Sequence, residues 1–257
     1  MLSWLAKKTI ARNMARTSVG RSGADPPAGR WRRPLKRQVA AITALGLLLC
    51  AIAQLSASSS GADSPRQLRP PITQWPIPFP PKRKRQMAAY SERHYGEHTW
   101  RLRHPHVIVE HYAEAGTAAA VFNTFAPDVA DPELHELPNV CAHFVVSSSG
   151  RIFQLVNLRT RCRHTVGLNW TAIGIEHTGF SDADVLGDRR QLRASLLLTR
   201  YLRCRFGIKL SDVIGHSESL SSPYHRERIA SLRNQTHSDW SHSSMVIYRR
   251  KLGRLGC

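Results

Sequence analysis

Residues 141–179 read CAHFVVSSSGRIFQLVNLRTRCRHTVGLNWTAIGIEHTG, and this stretch decides the fold because it sets a carboxylate on what reads as a central strand. Ala142 to Val146 and Ile152 to Val156 are β-rich runs separated by Ser147, Ser148, Ser149 and Gly150, a few turn residues between apolar segments, which predicts a hairpin. Ala172 to Thr178 is a third run. Period two places Ile173, Ile175 and His177 on one face and Gly174, Glu176 and Thr178 on the other. Glu176 therefore leaves the sheet opposite the isoleucines, in a segment apolar enough to be buried, where a carboxylate needs a cation, a proton or a water to serve. The competing reading is a salt bridge to one of the many arginines.

Upstream, His106 to His111 (HVIVEH) predicts a short strand with Val107, Val109 and His111 on one face. Thr117 caps a helix that begins AAAVFNTF, and the prolines at 127, 132 and 138 make the following segment a loop. Downstream, Asp188 to Phe206 carries Leu192, Leu196, Thr199 and Leu202 at the spacing of one buried helix face, and Gly207 stops it. Val213 and Ile214 form another short strand that runs into Gly215 and His216. Residues 218–233 read as a loop with a short helix, and Ser244 to Leu252 as a closing helix with basic residues near its end. Strands alternating with helices predict an α/β fold, a mixed central β-sheet flanked by helices, over residues 104–257 as a single catalytic domain.

A lone histidine at a strand end is more often a satisfied polar residue than a ligand. Here His111 and His216 each end a strand, and the loop carrying His237 can return to the same edge. Three neutral imidazoles suit Zn²⁺, and a catalytic zinc keeps a fourth position for water. Glu176 would then move that water's proton to a departing group.

The 257 residues hold more than this domain, and 37 Lys and Arg against 18 Asp and Glu give a formal charge of +19. Such a balance predicts attraction to a polyanion. Residues 1–38 carry ten basic side chains with Asp25 as their only acid, which reads as a basic cytoplasmic segment. Val39 to Leu55 has no charge, so 39–56 reads as a transmembrane anchor or signal segment, with the catalytic part extracytoplasmic or secreted. Residues 57–103, rich in Pro and basic side chains including the run Lys82 to Arg85, read as a spacer that could touch anionic membrane or wall polymer. The basic residues concentrate in this arm and spacer and no nucleic-acid-binding motif accompanies them, which argues against a nucleic-acid partner.

The segments VIVEH ending at His111, AHFVVSSSGRIFQLV, CRHTVGLN, AIGIEHTG and VIGHSE resemble the type 2 N-acetylmuramoyl-L-alanine amidases, which share their fold with peptidoglycan recognition proteins. The resemblance spans about Val107 to His237. It implies one zinc, a peptidoglycan or muropeptide substrate, and cleavage of the amide between the lactyl group of N-acetylmuramic acid and L-alanine by a monomer. By the same resemblance His111 and His216 match the first two metal ligands and Glu176 the catalytic glutamate. Gln235-Thr236-His237 falls on the pattern of the third ligand and puts His237 there, with Asp239 as the competitor. His164 and Asn169 match positions lining the substrate groove, a structural role being the alternative for both. Ala142 stands where many relatives have a Tyr and Gln235 where some have a Lys. Those departures motivate a second reading, a recognition module that binds muropeptide without cutting it. Cys141 and Cys162 flank the hairpin closely enough for a disulfide, whereas Cys204 reads as a buried free thiol in its helix.

Overall fold

The structure, a computed structural model, describes residues 69–257. The segments 1–38 and 39–56, with Cys50, lie outside the described residues. Among the described residues there are six strands: β1 (Ile72–Gln74), β2 (Val107–Tyr112), β3 (Phe144–Val146), β4 (Ile152–Gln154), β5 (Ala172–His177) and β6 (Val213–Gly215). The helices are α1 (Pro81–Tyr95), α2 (Ala118–Phe125), α3 (Asp182–Gly187), α4 (Arg189–Phe206) and α5 (His242–Gly253). The sheet order is β1-β4-β3-β5-β2-β6, and only the β3–β4 hairpin is antiparallel. This is the mixed sheet flanked by helices that the alternation of elements predicts.

β2 and β5 lie side by side with His111 opposite Glu176 and Glu110 opposite Ile175, so the period-two pattern sorts the two faces. On one face Ile108, Ile173, Ile175 and Val213 pack against Leu198 and Leu202 of α4 and Met245, Tyr248 and Leu252 of α5. Burying each such side chain contributes about 1.5–3 kcal/mol, which fixes the register and with it the direction of every polar residue on the strands. The other face is apolar only in part: Val107, Val109 and Ala172 form a small cluster, and His111 and Glu176 follow them on the same side. α4 begins and ends as its sequence signals, with Asp188 accepting from the amides of Arg190 and Gln191 and Gly207 in the left-handed conformation at φ 68°. The Thr117 side chain likewise caps α2 through the Ala120 amide.

The spacer reading of 57–103 is corrected from residue 72 onward, because this segment supplies β1 and α1. Pro81 occupies the first turn of α1, where a missing N–H costs nothing, so the prolines introduce the helix instead of forbidding one. Met87, Tyr90, Ser91 and His94 form the buried stripe, at helical spacing. Arg83, in the middle of the basic run, is fully buried and donates to the backbone carbonyls of Pro78, Phe125, Ala126 and Asn139. Four carbonyls take up its two Nη groups, which offsets much of the cost of burying a guanidinium. Among the described residues no helix is long and apolar enough to cross a membrane.

Two disulfides are formed among the described residues. Cys141–Cys162 ties the start of the hairpin region to the loop after it. Cys204 is not a free thiol: it bonds Cys257, joining the end of α4 to the C-terminal residue. Their presence places the domain in an oxidising compartment.

Candidate metal centre and pocket

His111 sits near the end of β2 and His216 follows β6, so parallel pairing of these strands brings both imidazoles to one end of the sheet. Their ring centroids are 4.8 Å apart and nearly perpendicular. The Asp239 carboxylate bridges them: Oδ2 lies 3.0 Å from His111 Nδ1 and Oδ1 lies 3.4 Å from His216 Nδ1. One donor atom from each of His111, His216 and Asp239 falls within 4.8 Å of the others, and all three residues are buried.

The backbone around Asp239 is held from β6. Ser217 donates its amide to the Asp239 carbonyl at 2.8 Å and its hydroxyl to the Trp240 carbonyl, while the Trp240 side chain is fully buried. Gly215 permits this approach, because a Cβ there would come within 2.2 Å of the Trp240 carbonyl oxygen. Burial alone would raise the Asp239 carboxyl, but His216 and His111 outweigh it and hold the group well below the usual carboxylate range.

His237 lies beside this set and not within it. Its ring stacks on His216 at 4.7 Å and 19°, and its Nε2 is 3.2 Å from Glu133 Oε2. The compact donor set therefore takes Asp239 in the place expected for His237. Gln235, two residues earlier, also turns to Glu133, with its amide 3.3 Å from Oε1.

Glu176 stands opposite His111 on β5, 7% exposed, and its Oε2 has no hydrogen-bond partner. Burial pushes its carboxyl up to about 7, with His111 and His237 lowering it and Asp239 raising it further. His216 is pushed down to about 4 by burial, so its imidazole is neutral, and its Nε2 is a second buried atom with no partner. The unpartnered, neutral His216 nitrogen beside His111 and an ionised Asp239 is the donor chemistry a zinc ion requires, and the unpartnered Glu176 oxygen lines the same pocket. The residues present fit the ion.

His164 and Asn169, the expected groove residues, both line the pocket. His164 Nδ1 lies 3.2 Å from His111 Nε2 and 2.9 Å from the Thr165 hydroxyl. Its ring crosses β5 where only glycine leaves room, since a Cβ on Gly174 would be 2.7 Å from the His164 ring. Asn169 accepts from the amides of His164 and Thr165 and donates to the Tyr90 hydroxyl at 3.0 Å, so its polar atoms brace the loop. Ala142 packs in the apolar layer under α2, away from the pocket.

The pocket residues that the sequence did not single out include four polar ones, Tyr90, Asp131, Glu133 and Arg163. Arg163 is buried, bonds Asp131 at 2.7 Å and the carbonyls of Glu136 and Pro138, and stands over the Tyr90 ring at 4.7 Å. Its neighbours Cys162 and His164 were its only signal, since nothing in a chain with 37 basic residues marks which arginine goes inside.

A family model described as N-acetylmuramoyl-L-alanine amidase matches residues 101–239, more than half of the chain and the whole interval from His111 to Asp239. The chain belongs to the N-acetylmuramoyl-L-alanine amidase family. A comparison with curated proteins finds no match. Among solved structures, this amidase is similar to the endolysin amidase LysCS from Clostridium intestinale URNW, with 18% identity, a TM-score of 0.40, and coverage of 58% of this chain and 82% of that one. A mutant endolysin from Bacillus subtilis shows 17% identity and a TM-score of 0.43 over 72% of this chain and 100% of that one. AmiD from E. coli, solved with anhydro-N-acetylmuramic acid-L-Ala-D-gamma-Glu-L-Lys, shows 20% identity and a TM-score of 0.36 over 46% and 50%. The amidase thus carries a buried His/His/Asp triad of the kind that suits zinc, in an enzyme family that acts on peptidoglycan.

Proposed function

We infer that this amidase hydrolyses the amide between N-acetylmuramic acid and L-alanine in peptidoglycan, with His111, His216 and Asp239 holding one zinc ion and Glu176 as the base. The observation that carries the reading is the pairing of this buried triad with an unpartnered carboxylate oxygen directly across the strand register. A zinc ion bound there supplies Lewis-acid polarisation of the scissile carbonyl and a more acidic water. Glu176, raised to about 7, is poised to take a proton from the attacking water near neutral pH and to return it to the departing nitrogen of L-alanine. Asp239 bridges the two histidines and fixes both rings, while Asn169 and Thr165 hold the loop that sets His164 against His111. Gln235 and His237, both turned toward Glu133, form the wall on the His216 side. Where relatives carry a Lys, the neutral Gln235 leaves the developing oxyanion to the metal and to local N–H donors.

We infer further that the enzyme works outside the cytoplasm as a monomer, that the uncharged segment Val39 to Leu55 exports or anchors it, and that the basic segments, including the run Lys82 to Arg85 beyond it, favour anionic membrane or wall polymer. Full-length protein incubated with murein should release peptides that begin with L-alanine, lose that activity on chelation, and recover it on adding zinc. Murein that is bound but never solubilised would instead assign a recognition role.

A further inference from the structure

We propose that the groove between the first turns of α1 and the segment from Thr99 to Arg103 is a docking site for an anionic polysaccharide chain. It is lined by Lys84, Arg85, His98, Trp100, Arg101 and Arg103, together with small and apolar side chains, and no carboxylate lines it. None of Lys84, Arg85, Arg101 and Arg103 forms an ion pair with a described residue. This sets them apart from Arg83, whose guanidinium is buried and spent on backbone carbonyls.

Two features make this groove more than a solvated charge run. Lys84 Nζ lies 4.7 Å and Arg101 Cζ 4.5 Å from the centroid of one ring, Trp100. The two cations are therefore held closer together than about 10 Å, the screening length at 0.1 M salt, so their repulsion is felt unless an anion shares the space. The second feature is where α1 places its charge. Lys82, Lys84 and Arg85 sit in the first turns, where the backbone dipole is already positive, with no acidic residue in the first turn and no side-chain cap from Pro80. A helix built only for stability carries Asp or Glu there. The local conflict is relieved by a bound anion, which the amino end of the helix and the cations would both attract.

The shape and chemistry select a polysaccharide among polyanions. A single-stranded nucleic acid needs a free aromatic face on which bases stack, and the Trp100 ring is engaged by Lys84 and Arg101. A lipid surface is met by exposed apolar side chains beside the cations, whereas this site is a concave cleft with Trp100 only half-exposed. A chain of sugars bearing sulfate, phosphate or carboxylate groups threads such a cleft and meets a cation at each step. α1 separates the groove from the catalytic pocket, which Tyr90 lines from its other side. Docking there would hold the enzyme on a charged glycan matrix while the pocket stays open.

The test uses the full chain, with dextran sulfate as the probe, neutral dextran as its control, and single-stranded DNA and phosphatidylglycerol vesicles in parallel arms. Lys84→Glu/Arg101→Glu should weaken dextran sulfate binding at 0.1 M salt by about tenfold and reduce the slope of log K against log salt by about two. The charge-matched Arg250→Glu/Lys251→Glu variant, altered at exposed positions in the last turn of α5, should change affinity by less than about threefold. If the acidic variant does not fold, Lys84→Gln/Arg101→Gln gives the same reading with a smaller effect. Equal losses in the two charge-reversal variants would overturn the proposal in favour of diffuse attraction. Tighter binding of DNA or vesicles than of dextran sulfate would overturn the choice of partner.

Discussion

His94 offers a direct measure of what joins α1 to the catalytic domain. Its side chain is fully buried between two carboxylates, with Nδ1 2.8 Å from Glu227 Oε2 and Nε2 2.9 Å from Glu136 Oε2, and its ring stacks on Tyr90 at 3.9 Å. One ring thus links α1, the loop that carries Asp131 and Glu133 into the pocket, and the chain after α4 and β6. His94→Leu keeps apolar bulk against Tyr90 but removes both hydrogen bonds and leaves the Glu227 carboxylate buried without this partner. Breaking a buried charged pair from one side costs about 3–5 kcal/mol, and two charge-assisted hydrogen bonds at about 1.5–3 kcal/mol each give an overlapping range of about 3–6 kcal/mol. Burial lowers the His94 pKa, but Glu136 and Glu227 outweigh it and raise the group above its ordinary value. A raised histidine stabilises fully below its unfolded pKa near 6.5 and loses that contribution as pH climbs through the folded value. Burial raises and His94 and Arg163 lower the Glu136 carboxyl, for a net fall, so its contribution is present above its unfolded pKa of 4.5 and is lost as pH drops below that. The stability gap between the wild-type protein and His94→Leu, read from urea midpoints, should therefore be widest near pH 6 and narrow toward both pH 4 and pH 9. A gap below about 1 kcal/mol, or one that does not change with pH, would refute the clamp.

Three further outcomes test the site. Glu176→Gln, which keeps shape but not basicity, should cost about 10²–10⁴ in kcat while metal content is unchanged, and loss of metal in that variant would make Glu176 a ligand instead. Asp239→Asn should bind zinc far more weakly than His237→Gln, measured by metal analysis after dialysis; the reverse order would restore His237 to the ligand set. Gly215→Ala pushes a Cβ to 2.2 Å from the Trp240 carbonyl oxygen, so the backbone carrying Asp239 must shift, and zinc affinity should fall by about 10–100-fold, as it does when a ligand's support is removed. Unaltered zinc binding by Gly215→Ala would show that the Asp239 segment adjusts independently of β6.

The parts of this architecture legible in the sequence are those where one period governs many residues. Alternation along Ala172 to His177 and Val107 to Tyr112 sends Glu176 and His111 to one side and Ile173, Ile175 and Ile108 to the other, and the sheet pairs the strands accordingly. α1 was hidden for the opposite reason. Its prolines and its Lys-Arg run carry the signals of an open spacer, and the stripe of Met87, Tyr90, Ser91 and His94 holds only two strongly apolar side chains. The Cys204–Cys257 bond was out of reach for a third reason, since it depends on α5 folding back to lay the C-terminus beside the end of α4.

The third ligand shows where periodicity itself runs out. His237 and Asp239 are two residues apart and both line the pocket, so no argument from alternation can separate them. What separates them is which contacts hold the backbone on either side. The Ser217 amide on the Asp239 carbonyl and the buried Trp240 pin residues 239 and 240 to the end of β6, next to His216. The residue before His237 is held too, since the Thr236 hydroxyl donates to the His216 carbonyl at 3.0 Å, and from there the His237 ring lies flat on His216 and its nitrogen turns to Glu133. A short carboxylate at the pinned position reaches both histidines at once. The choice of ligand is thus made by the glycine and serine that let β6 grip the Asp239 segment, residues with no metal-binding chemistry of their own.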